Sequence, residues 1–130
     1  MARVLVIDDE SLVGVILRYA FGARGHETVM AGGGLLGIDL ARAEHPDAIV
    51  LDLMMPAVNG HDVLETLRDD PGTQGVPILV LTAATLSRER ERCFSEGADV
   101  VMTKPFDPGD VAAAVEDLLS QRTSAGATVP

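Results

Sequence analysis

The stretch Val4-Leu5-Val6-Ile7-Asp8-Asp9-Glu10 (VLVIDDE, residues 4–10) is a short β-branched apolar run that ends abruptly in three acids. Four apolar residues in succession, without the alternation of a half-exposed strand, suit a strand buried on both faces of a parallel sheet. Runs of the same kind predict strands at 3–7, 28–31, 48–51, 76–81 and 99–102. Between and after them, longer amphipathic stretches predict helices near 10–24, 34–44, 60–69, 85–96 and 108–120. In the first helix Val13, Ile16, Leu17 and Ala20 fall at i, i+3, i+4 and i+7, a single core-facing stripe. The alternating charges of Arg88-Glu89-Arg90-Glu91-Arg92 read as a solvated face in the fourth.

Punctuation agrees with these boundaries. Gly25 and Gly97 stand where helices should stop, and Asp107-Pro108 reads as an N-cap followed by proline at the first helical position. Gly37 is an expected weak spot, costing roughly 1 kcal/mol relative to alanine inside a helix. Five βα units in a row require right-handed crossovers, hence an α/β fold with helices on both faces of a parallel sheet. For five strands the common order is 2-1-3-4-5, the flavodoxin-like doubly wound arrangement, in which ligands sit outside the strand C-termini beside strands 1 and 3.

At 130 residues the length suits one domain, and 47% hydrophobic residues are ample for a core. No apolar run approaches the roughly 20 residues that span a bilayer, and no signal-peptide core precedes the first strand. The single cysteine, Cys93, can form no internal disulfide. A soluble, cytoplasmic protein without membrane association is therefore expected. Residues 122–130 (RTSAGATVP) lose apolar periodicity and are expected to be a flexible tail or a cut linker after a domain over 1–121. The formal charge of −10, from 20 acidic and 10 basic residues, argues against direct nucleic-acid binding and suits cations or basic partner surfaces. Nine of the basic residues are arginine, and the only lysine is Lys104. A lone compact ammonium suggests a site that wants one, with chance as the alternative.

The predicted strand ends carry the chemistry. Strand 1 ends in Asp8-Asp9-Glu10, strand 3 in Asp52, strand 4 in Thr82, and strand 5 leads into Lys104-Pro105. Singly, each has a plain structural explanation: Asp9 as a helix cap, Asp52 and Thr82 as loop residues, Lys104 as a solvated turn lysine. Together on one sheet edge they are hard to ascribe to capping. Carboxylates held about 4 Å apart repel by roughly 1–4 kcal/mol, so the cluster calls for a cation. An oxygen-only site with room for water and phosphate oxygens suits Mg²⁺, with Mn²⁺ as a possible substitute. A carboxylate can attack a phosphoryl group to give an aspartyl phosphate, a reaction governed by positioning and charge neutralisation.

VLVIDDE, DAIVLDLMMPAVNGHDVL, PILVLT and EGADVVMTKPF resemble, in order and spacing, the receiver domains of two-component response regulators, over residues 2–121. The resemblance implies Asp52 as phospho-acceptor, Asp8 and Asp9 as the Mg²⁺-binding acid pair, and the Met54 backbone carbonyl as a further metal ligand. It implies Thr82 as the switch hydroxyl, Lys104 as counter-ion to the phosphate, and a cis peptide between Lys104 and Pro105. Pro56 and Gly60 would shape the loop after Asp52. The donor would be a phosphohistidine on a sensor histidine kinase or histidine phosphotransfer protein, docked near Leu12 and the loop after Pro105. Such a domain catalyses its own phosphorylation and dephosphorylation without being a conventional turnover enzyme. No effector domain is expected within this chain, so its output would be contact with a downstream protein, as a monomer or as an activation-dependent dimer.

The chain departs from the family pattern in three respects. Val101 stands where an aromatic usually swings with the threonine, which predicts a weaker or differently routed response. Met54 and Ala84 flank the expected path of attacking water, and neither can orient it, which predicts a long-lived phosphoryl group. Leu35 and Leu36 replace residues that are often polar and are expected in the core, with a small interaction patch as the alternative. His26, His45 and His61 are expected to be surface residues outside the cluster. The rival functions are a flavodoxin-like cofactor binder, a phosphatase with a nucleophilic aspartate, and a receiver-like interaction module that accepts no phosphate.

Overall fold

A computed structural model describes residues 1–55, 58–83 and 86–128, with residues 122–128 described by their backbone alone. The chain alternates strand and helix throughout: β1 (Arg3–Ile7), α1 (Ser11–Gly22), β2 (Glu27–Ala31), α2 (Gly34–Glu44), β3 (Ala48–Asp52), α3 (Gly60–Asp69), β4 (Ile78–Thr82), α4 (Ser87–Ser95), β5 (Val100–Thr103) and α5 (Pro108–Thr128). The five strands are parallel and ordered β2-β1-β3-β4-β5. This is the doubly wound arrangement expected from the sequence, with its switch point between β1 and β3.

Strand alternation divides the core in two. Leu5, Ile7, Ile49, Leu51, Ile78, Val80 and Val101 point to one face, where Ile38 of α2, Val63, Leu64 and Leu67 of α3 and Cys93 of α4 cover them. Val4, Val6, Ala48, Val50, Leu79 and Leu81 point to the other, against Leu17 and Phe21 of α1 and Val111, Ala112 and Val115 of α5. Every residue of β3 and β4 is buried, which is why these strands read as unbroken apolar runs.

Helix ends follow the expected chemistry. Gly25 and Gly97 adopt φ of +83° and +112° after α1 and α4, a conformation that only glycine takes without strain. Asp107 opens α5, its Oδ1 accepting from the Gly109 amide at 2.7 Å. That helix continues through Thr128, so the backbone of 122–128, expected as a tail or cut linker, is helical. β4 begins at Ile78 rather than 76 because the Val76 amide closes a turn onto Thr73 and Pro77 has no amide to donate.

Four expectations need correction. Ile16 is 36% exposed, whereas Leu17 is buried and Val13 and Ala20 pack half-buried against the core, with Gly14 and Phe21 completing the buried side of α1. Leu35 and Leu36 are 69% and 50% exposed, not core. The buried face of α2 is Gly34, Gly37, Ile38 and Ala41, a helical stripe that the two leucines flank. Gly37 is a requirement of packing rather than a weakness: a Cβ there would lie 2.7 Å from side-chain atoms of Ile7. Of the histidines only His45 is exposed. The His26 and His61 side chains are 11% and 12% exposed and face Glu116 and Glu96 respectively.

Candidate functional site

Asp8, Asp52 and Lys104 continue the same side-chain parity on β1, β3 and β5, so the pleat turns all three toward one face at the C-terminal edge. Backbone bonds just past the strand ends hold them there: Asp8 N–H to Ala31 O at 3.0 Å, Leu53 N–H to Leu81 O at 3.0 Å, and Lys104 N–H to Thr82 O at 2.9 Å. The Lys104–Pro105 peptide is cis, as the resemblance implied.

The two aspartates are arranged alike. Asp8 Oδ1 accepts from the Glu10 amide at 2.8 Å, and Asp52 Oδ1 accepts from the Met54 amide at 2.9 Å. Each carboxylate is thereby fixed by the backbone two residues on, leaving its Oδ2 buried with no hydrogen-bond partner among the described residues. Lys104 Nζ stands 3.1 Å from Asp52 Oδ2, an ion pair whose angles do not make a hydrogen bond, and 3.9 Å from Asp8 Oδ2. The Asp8 and Asp52 side chains are 2% and 0% exposed. Burial pushes the Asp8 carboxyl up from 3.8 to about 6; the Glu10 amide opposes this, the Asp52 charge adds to it, and the Lys104 ammonium opposes it.

One oxygen each of Asp8, Glu10 and Asp52 lies within 4.8 Å of the other two. These hard oxygen donors, two of them buried and missing partners, fit a divalent cation such as Mg²⁺. Asp9 is exposed and lies outside that group, lining a cavity of about 160 Å³ with Asp8, Glu10, Gly14 and Met30. The Glu10 side chain was absent from the metal set inferred from the sequence. Its signal was its place in the acid run, two residues after Asp8, where the turn out of β1 brings it back to the cluster.

Thr82 is buried at the end of β4, next to β3 in the sheet. Met54 is 63% exposed and, with Leu53, Met55 and Asn59, lines an open groove of about 490 Å³. Gly60 permits this loop: a Cβ there would lie 2.5 Å from the Leu53 Cα, directly after Asp52. Asn59 caps α3 by accepting from the His61 amide at 2.9 Å. Val101 is 5% exposed within the core, and its carbonyl accepts from Arg90 at 3.3 Å. Pro56 and Ala84 lie outside the described residues. Among the described residues, no helix is long and apolar enough to cross a membrane.

Comparison with known proteins agrees with this geometry. Residues 4–116 match the response regulator receiver domain family. The chain is 38% identical over 119 residues, 92% of its own length, to a protein named DNA-binding dual master transcriptional regulator RpaA from Synechocystis. It is 37% identical over 113 residues, 87% of its length, to the DNA-binding response regulator MtrA of Mycobacterium tuberculosis. It spans about half the length of these two relatives, 49% and 48%. It covers 84% of the polar-differentiation response regulator DivK of Brucella ovis, at 33% identity over 79% of the chain. Among solved structures, the receiver domain of the Francisella response regulator 1452 superposes with a TM-score of 0.86 at 28% identity, covering 95% of this chain and 99% of that one. The chemotaxis protein CheY4 of Vibrio cholerae gives 0.84 at 26%, covering 90% and 98%. The chain belongs to the response regulator receiver domain family.

Proposed function

We propose that this chain accepts a phosphoryl group on Asp52 from a phosphohistidine of a sensor histidine kinase or histidine phosphotransfer protein, and that the modification switches its contacts with a downstream protein. The observation that carries this is the Asp52 carboxylate: buried, held through Oδ1 by the Met54 amide, with Oδ2 free of hydrogen bonds 3.1 Å from Lys104 Nζ.

The anchored Oδ1 leaves Oδ2 as the nucleophile. As the Oδ2–phosphorus bond forms, the phosphorus–nitrogen bond to the donor imidazole breaks, and the imidazole leaves with its electron pair and takes up a proton. Lys104 then turns from the carboxylate to the phosphoryl oxygens, and Thr82 donates its hydroxyl to one of them. Asp8, Asp52 and the Met54 carbonyl would hold Mg²⁺, or Mn²⁺ in its place, with Asp9, exposed beside that group, as a further ligand, and the ion would neutralise charge on the phosphoryl oxygens. The protein is thus a catalyst of its own modification rather than a turnover enzyme.

Two finer expectations accompany this reading. The exposed thioether of Met54 offers no strong hydrogen bond to an attacking water, so the aspartyl phosphate should be long-lived. Met54→Asn should shorten its lifetime several-fold; an unchanged decay rate would contradict this. Val101, small and buried, has no ring to swing in or out, so the response at β5 and α4 should be muted. Large amide shifts centred on β5 and α4 when the phosphorylated protein is compared with the unmodified one would overturn that.

The direct test is intact-mass analysis after incubation with acetyl phosphate, with and without Mg²⁺, beside Asp52→Asn. One added phosphoryl group that requires Mg²⁺ and is absent in the variant is expected. No adduct on folded protein would favour an interaction module that accepts no phosphate.

A further inference from the structure

We infer that Glu10 is an additional carboxylate of the cation site and sets its affinity for Mg²⁺; the inference rests on the Mg²⁺ site of the proposed function. Glu10 occupies the N-cap of α1, with extended backbone at φ −88° and ψ 103°. Caps favour Ser, Thr, Asp or Asn, whose short side chains reach back to the first-turn amides. Glu10 makes no side-chain cap bond, so α1 begins without that stabilisation. Its side chain goes to the site instead, with Oε1 4.0 Å from Lys104 Nζ and a carboxylate oxygen within 4.8 Å of those of Asp8 and Asp52.

The backbone couples the two roles. The Glu10 amide fixes Asp8 Oδ1, so Asp8 Oδ2 is left inside the cluster while the Glu10 side chain closes it from the solvent side, 65% exposed. Buried partnerless oxygens of Asp8 and Asp52 therefore face a third carboxylate across a gap that a divalent ion or its bound water can fill. Lys104 is the one cationic side chain within 4.0 Å of all three carboxylates among the described residues. A full negative charge a few ångströms from a dication at a partly solvated site is worth roughly ten-fold in binding.

Isothermal titration of Mg²⁺ at constant ionic strength into the wild type, Glu10→Gln and Asp52→Asn tests this, with the metal-free thermal midpoint of each. Glu10→Gln is expected to bind roughly ten-fold more weakly, a loss set by the missing charge, with a metal-free midpoint no lower than wild type. Affinity within two-fold of wild type, or a lowered metal-free midpoint that marks a merely structural role, would overturn the inference. If the wild type bound no Mg²⁺, or bound it equally after Asp52→Asn, the proposed site itself would fall. A site intact in the wild type but indifferent to Glu10→Gln would defeat the Glu10 inference alone.

Discussion

The two edges of the sheet treat charge in opposite ways. At the N-terminal edge Arg68 of α3 donates to the carbonyls of Gly97 at 2.8 Å, Gln74 at 2.8 Å and Val76 at 2.6 Å, and pairs with Asp99 at 2.9 Å. Asp99 also accepts from the Ile78 amide at 2.8 Å, so the one carboxylate ties α3 to the start of β4. Arg3 bridges Glu27 and Glu44 in the same manner. At the C-terminal edge three carboxylates share one ammonium, and two buried oxygens have no hydrogen bond. One edge uses its charges to close loops onto the sheet; the other leaves negative charge unbalanced, a state a cation can relieve.

The comparison can be broken most severely at Arg68. Arg68→Ala removes the side-chain donor from three carbonyls, two of them part-buried, and leaves Asp99 with the Ile78 amide alone, and should cost about 3 kcal/mol in urea denaturation. Mg²⁺ affinity should be unchanged, because no Arg68 partner lies at the other edge. A loss below about 1 kcal/mol would mean that this network is solvated rather than structural.

The opposite sign is expected at Asp8. Its folded pKa of about 6 lies above the ordinary 3.8, so the folded chain binds this proton more tightly than the unfolded chain. The stability tied to that proton is fully present below about pH 4 and is lost as pH rises through about 6. Asp8→Asn should therefore stabilise the metal-free protein by about 2–3 kcal/mol at pH 7.5, a gain that fades toward pH 4. Loss of stability at both pH values would show that Asp8 is a structural partner and not a charge buried at a cost. In wild type, Mg²⁺ should raise the thermal midpoint at pH 7.5 and do so less below pH 6, where Asp8 holds its proton.

The smallest effect sharpens the role of Glu10. Glu10→Ser supplies the missing cap of α1 and removes a negative charge, and should raise metal-free stability by about 1 kcal/mol. No gain, with Mg²⁺ affinity intact, would place Glu10 outside both roles.

One side of this contrast, the C-terminal edge, was legible in the sequence; the Arg68 network at the other edge was not. The bounds of β1, α2 and α3 agree with expectation, because buried parallel strands and amphipathic helices leave local patterns in the sequence. The places of Asp8, Asp52, Thr82 and Lys104 at the strand ends were legible because the topology rule says where those ends meet. The preference of Leu35 and Leu36 for the core failed because hydrophobicity outweighed position: the glycines at 34 and 37 mark the packed face. His26 and His61 were misread as surface because their carboxylate partners, Glu116 and Glu96, lie 90 and 35 residues away. The place of Glu10 among the acids depended on the turn out of β1, whose direction no residue type announces.

On the proposed function, Asp52 is the residue that takes the phosphoryl group. Protein treated with acetyl phosphate and Mg²⁺, reduced with borohydride and digested, would be mapped by peptide mass spectrometry. An acyl phosphate is reduced to the corresponding alcohol, so homoserine in place of aspartate is expected at Asp52 and nowhere else. Reduction at Asp8, Asp9 or Glu10 with Asp52 intact would contradict it.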